Sequence, residues 1–86
     1  MPDDEKRRQN ERRFQTWEEL PGGGRPYSYS LRGTLGWSAR YVKEVDRDER
    51  TVRFHQKILN PGGRLVEIHE KFPVDRGHRP VGGENP

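Results

Sequence analysis

Apolar side chains fall on alternate positions in four successive runs between Tyr27 and Phe72. In YSYSL, Tyr27, Tyr29 and Leu31 share one face, opposite Ser28 and Ser30. In WSARYVKEV, Trp37, Ala39, Tyr41 and Val45 oppose Ser38, Arg40 and Glu44. TVRFHQKIL sets Val52, Phe54 and Ile58 against Arg53, His55 and Lys57, and RLVEIHEKF sets Val66, Ile68 and Phe72 against Glu67, His69 and Lys71. A period of two marks a strand with one wet and one dry side. The intervening RGTLG, DRDE and NPGG are turn compositions.

Cross-strand partners point to the same side of a sheet, so like faces must meet. Opposing Leu31 to Trp37 places Tyr29 on Ala39 and Tyr27 on Tyr41. A two-residue turn at Arg47–Asp48 places Tyr41 on Phe54 and Trp37 on Ile58. A three-residue loop at Pro61–Gly62–Gly63 places Ile58 on Val66, Val52 on Phe72 and His55 on His69. All three turns keep apolar with apolar. The expected fold is mainly β, a β-rich α+β chain built on a four-stranded antiparallel meander, flat or curled into a half-barrel. Its dry face needs a cover, either an N-terminal helix or a second copy of the chain.

The flanks read differently. Residues 1–25 form a charged arm; 3–20 suit a helix by propensity, with acidic Asp3 and Asp4 at its start. Within that segment nothing apolar precedes Phe14, so the expectation is a frayed arm whose docking part is a short helix over 11–20, through Phe14, Trp17 and Leu20. PGGGRP at 21–26 ends it. The β domain spans 26–74. Beyond Pro73, which has no N–H for a ladder, residues 75–86 read as an irregular tail.

Composition limits the options. The chain has 86 residues, 27% hydrophobic and 36% charged, so a single core is of marginal size. Without cysteine there is no disulfide framework, thiolate zinc site or cysteine nucleophile. No apolar run spans a bilayer, and MPDDEKRRQNERR lacks the apolar core of a secretory signal, so a cytoplasmic protein with no membrane contact is expected. The net charge of +3 permits nucleic-acid contact without demanding it.

Candidate chemistry is concentrated on the polar face and tail. Arg40, Arg53, Lys57, Lys71, Arg76 and Arg79 supply cations, with Glu44, Glu67 and Glu70 among them. They suit phosphate contacts or, more plainly, a solvated salt-bridged face. The aromatic residues fall on the other side, which argues against a base-stacking platform. His55, His69 and His78 complete the candidate binding set. His55 beside His69 would be a candidate acid–base pair. No metal site is expected, because two imidazoles among cations fall short of the usual three or four ligands, and no cofactor motif is present. Asp75 with His78 offers a dyad, but Gly77 between them reads more plainly as a turn held by local hydrogen bonds.

The words ARYVKEVD and EIHEKFPVD, within the stretch from Gly36 to His78, resemble a family of small bacterial proteins with a domain of unknown function. That resemblance covers about half the chain; it implies a bacterial cytoplasmic protein and no particular chemistry. A looser likeness, to small toxins of toxin–antitoxin systems, rests on a compact β-rich chain with Arg, His and Tyr. The expected function is a small non-enzymatic binding module, monomeric or homodimeric, that meets nucleic acid or a protein through its basic sheet face. The alternative is an endoribonuclease-like toxin, with His55 or His69 as acid or base and Arg53 or Arg40 steadying phosphate. An adaptor that pairs a sheet edge with a partner strand is a third reading.

Overall fold

A computed structural model describes residues 4–75 and 77–81. One helix, α1 (Asp4–Phe14), precedes six strands: β1 (Thr16–Trp17), β2 (Arg25–Arg32), β3 (Ser38–Val45), β4 (Thr51–Leu59), β5 (Leu65–Phe72) and β6 (Gly77–Pro80). The strands lie in chain order in one antiparallel sheet that does not close on itself. The architecture is mainly β, as the alternation predicts, but with six strands rather than four. The two additions flank the expected four. Thr16 and Trp17 pair with Ser28 and Tyr27, and Gly77–Pro80 pairs with β5 inside the tail expected to be irregular.

The helix also lies earlier than the 11–20 segment expected. Gln15, with φ of 68°, turns the chain out of α1, its N–H bonded to the Glu11 carbonyl at 3.1 Å. A left-handed residue is a common helix terminator, and it frees Thr16 and Trp17 to join the sheet. Only Asn10 and Phe14 of α1 are buried. Phe14 packs on Tyr27 and Tyr29 at ring separations of 5.8 and 5.5 Å. The core is therefore Phe14, Tyr27 and Val45, flanked by Trp17, Tyr29 and Phe54.

Three turns set the register, and each departs from the expected pairing. Across β2 and β3, Leu31 meets Ala39 and Tyr29 meets Tyr41, two residues from the expected positions. Across β3 and β4, Tyr41 meets Gln56 rather than Phe54, and Ala39 meets Ile58. Here the turn holds three residues instead of two. Asp46 and Arg50 close it, Glu49 takes φ of 67°, and the Asp46 carboxylate accepts the Asp48 and Arg50 N–H groups. A left-handed third residue is the usual device for a three-residue hairpin with a bulge.

A shift of two residues keeps each face intact, whereas a shift of one exchanges them. The exchange occurs on β5. The 61–63 loop closes as expected, with the Asn60 N–H on the Arg64 carbonyl. A bulge between Ile58 and Leu59 then sets Ile58 opposite Glu67 and Lys57 opposite Ile68. His55 consequently meets Glu70, and His69 meets Gln56, so the expected His55–His69 pair does not exist. The imidazoles lie on opposite faces.

One face thus carries Tyr27, Tyr29, Leu31, Ala39, Tyr41, Phe54, Ile58 and His69; the other carries Ser28, Ser30, Arg40, Val42, Arg53, His55, Lys57 and Ile68. The helix covers the first face at Tyr27 and Tyr29. The uncovered end of that face leaves Leu31 53% and Trp37 42% exposed. No helix among the described residues is long and apolar enough to cross a membrane.

Candidate nucleic-acid interface

Pairing places Ser30, Arg40, Lys57, Ile68 and Arg79 side by side on β2, β3, β4, β5 and β6. The row crosses the uncovered face and contains no acid. Arg40 and Lys57 are direct cross-strand neighbours, an arrangement that costs stability because like charges repel. The Arg40 Nη2 donates to the Ser28 hydroxyl at 2.8 Å. No carboxylate pairs with Arg40, Lys57 or Arg79 among the described residues. A shallow groove of about 190 Å³ opens beside Arg40 and Lys57, with Thr16, Glu18 and Ser28 in its wall.

The next part of this face is neutralised. Arg53 donates to both Glu70 oxygens, one at 2.9 Å, and to Glu44 at 3.3 Å. The Glu70 hydrogen bond, opposed by partial burial, holds the guanidinium above its ordinary pKa. His55 lies beside it, 2% exposed. Its Nδ1 stands 3.9 Å from Glu44, and neither ring nitrogen has a hydrogen-bond partner among the described residues. Burial, helped by the Arg53 charge, pushes the His55 pKa down. The imidazole is buried between strands, in surroundings that favour its neutral form.

The remaining predicted residues face the other way. His69 Nε2 and Asp75 are 2.6 Å apart, and Asp75 also accepts the Gly77 N–H at 2.9 Å. That backbone bond and then the imidazole hold the Asp75 carboxyl below its usual range. Asp75 therefore serves the turn, and its histidine partner is His69 rather than His78. The His78 ring lies tilted against His69 at a ring distance of 4.4 Å, and its Nδ1 meets Glu67 at 2.7 Å. Lys71 lies 5.7 Å over the Tyr41 ring, and Tyr41 stacks on Tyr29 at 5.0 Å. Arg76 lies outside the described residues.

The predicted binding set thus divides by face. Arg40, Lys57 and Arg79 converge with Arg53 and His55, while His69, Lys71 and His78 gather behind the sheet. The sequence reading missed Ser28 and Thr16, whose hydroxyls join the groove once β1 is recognised. It also missed a buried polar cluster that fastens the helix. Glu49 accepts hydrogen bonds from Arg7 at 2.9 Å, Asn10 at 3.2 Å and the Tyr27 hydroxyl. Arg25 pairs with Glu11 at 2.8 Å and Glu19 at 2.6 Å. Burial pushes Tyr27 up to about 12, with the Glu49 hydrogen bond adding to it. All of these groups are engaged with one another. Among the described residues, no group of three acidic or histidine side chains is placed to hold a metal ion.

No protein-family model, curated protein or solved structure matches the chain.

Proposed function

We propose that the chain is a small nucleic-acid-binding module that meets the phosphate backbone of a single strand along Arg40, Lys57 and Arg79. The observation that carries this reading is the Arg40–Lys57 pair: two cations held as cross-strand neighbours with no carboxylate between them. The same sheet neutralises Arg53 twice, so suitable acids are within the chemistry of the fold. An anion that bridges adjacent guanidinium and ammonium groups relieves their repulsion, and phosphate suits the planar fork of Arg. The Ser28 and Thr16 hydroxyls, cross-strand neighbours on the same face, add donors beside the pair.

Three phosphate contacts to a single strand predict a salt slope of about −2 in log K against log salt concentration. Fluorescence anisotropy of labelled oligouridine across a salt series measures it. Arg40→Ala and Lys57→Ala each flatten the slope, whereas Lys71→Ala, on the opposite face, leaves it unchanged. Binding indifferent to salt, or as sensitive to Lys71→Ala as to Lys57→Ala, refutes the reading.

His78 supports a second reading, the endoribonuclease-like one. Its Nδ1 is steadied by Glu67 and its side chain is 45% exposed, the arrangement of a general base with one nitrogen left for substrate. Cleavage of labelled RNA, abolished by His78→Ala with the β-sheet circular dichroism retained, would establish it. His55 takes no part.

A further inference from the structure

The hairpin loops β2–β3 and β4–β5 lie side by side at one end of the sheet. Gly36 and Pro61 touch so closely that a Cβ on Gly36 would come 3.0 Å from the Pro61 ring. Three apolar side chains project there: Leu35, 89% exposed, Leu31 and Trp37. Leu35 is held with φ of 56° inside a single helical turn, Thr34–Gly36. Left-handed backbone is unfavourable for a residue with a branched side chain and is commonly kept where it serves a contact. A leucine almost wholly in water gains nothing from that strain within this chain. Below it, Leu31, Trp37, Ala39 and Ile58 line a shallow apolar depression.

The charge at this end is one-sided. No Asp or Glu stands between Glu19 and Glu44, or between Glu49 and Glu67, and both loops lie within those stretches. Arg32 and Arg64 flank them, neither paired with a carboxylate among the described residues. The nearest acid along the strands, Glu67, is engaged by His78. Glu84 lies outside the described residues.

We propose that this end docks on an anionic phospholipid surface, with Leu35 and Trp37 entering the interface and Arg32 and Arg64 meeting headgroup phosphates. The aliphatic character favours lipid over nucleic acid. Leucine offers no ring face for a base to stack on, whereas the acyl boundary accepts apolar groups without matching their shape. Trp belongs at the headgroup level. Apolar insertion and basic attraction together are what a stable interfacial contact requires. A contact of this kind needs no spanning segment, and it is independent of the Arg40–Lys57 reading.

The test uses the full chain with vesicles of equimolar phosphatidylcholine and phosphatidylglycerol, and with vesicles of phosphatidylcholine alone. Trp37 emission should shift to the blue on the anionic vesicles only, and Trp37→Phe should abolish the shift while Trp17→Phe retains it. Leu35→Asp alters a side chain that is 89% exposed, so the fold is expected to survive. It should weaken vesicle co-sedimentation roughly tenfold, the effect of one large apolar group left in water. No shift on anionic vesicles overturns the proposal, as does co-sedimentation unchanged by Leu35→Asp. Quenching of Trp37 by oligouridine in place of a vesicle response assigns the tip to nucleic acid and overturns it equally. Loss of oligouridine binding in Lys57→Ala, with the vesicle response intact, separates this surface from the basic row.

Discussion

The Glu49 carboxylate is sealed from water, and donors from Arg7, Asn10 and Tyr27 converge on it. Burial alone would raise its pKa. The hydrogen bonds outweigh that and hold the group below the ordinary carboxylate range. Removing the acceptor leaves a buried donor set unmatched, and breaking such a pair costs about 3–5 kcal/mol. Glu49→Ala should lower the unfolding free energy by that order in urea titrations. Its folded pKa lies below the unfolded value, so its contribution is whole above the unfolded value, about 4.3, and is lost as pH falls through the folded one. The gap between wild type and variant should therefore narrow as the pH is taken below the unfolded value and through the folded one.

His55 gives the complementary case. Its folded pKa is also depressed, but the neutral form is the one that folding favours. Stability is then full above the unfolded imidazole value of about 6.5 and falls on acidification, because the unfolded chain binds the proton first. The slope attributable to it is at most about 1.4 kcal/mol per pH unit, the limit for one proton. Replacing His55 with Gln should remove that part of the decline between pH 7 and pH 5, as read by urea midpoints.

At the scale of elements, the cross-strand rows decide what each strand can do. Arg40 against Lys57 is a repulsive pair, and cross-strand charge pairs are worth roughly 0.2–1 kcal/mol in either direction. Lys57→Glu should raise the thermal midpoint while weakening oligouridine binding. A variant that gains in both respects would show the pair to be irrelevant to anions. The alternating pattern was legible in the sequence for β2, β3 and β4, because each packs one side against α1 or its neighbours. It misled on β5, whose Val66 and Ile68 alternate as regularly as any. A bulge at Ile58 and Leu59 has no marker in NPGG or in the residues beside it, and it moved His69 and Lys71 away from Arg40. The edge strands were illegible for another reason. Thr16–Trp17 and Gly77–Pro80 are too short to show a period, and their pairing depends on neighbours distant from them in the reading.

For the molecule as a whole, Phe14 is the apolar fastening between helix and sheet. Phe14→Ala should cost about 3–5 kcal/mol and expose the α1 amides to hydrogen exchange before those of β3 and β4. Much of the basic face was visible from charge alone, but its division into a neutralised half and an open half was not. That division depends on which carboxylate reaches which cation, and Arg53, Arg40 and Lys57 look alike in the sequence.

The strictly consecutive strand order has a temporal corollary. Each ribbon can zip onto the one made just before it, so the meander needs few distant closures. The N-terminal helix is the exception: it emerges first, yet the carboxylate that receives Arg7 comes 42 positions later. During synthesis Phe14 can meet Tyr27 and Tyr29 early, but the polar clasp on Arg7 and Asn10 closes only once the Asp46–Arg50 corner has left the ribosome.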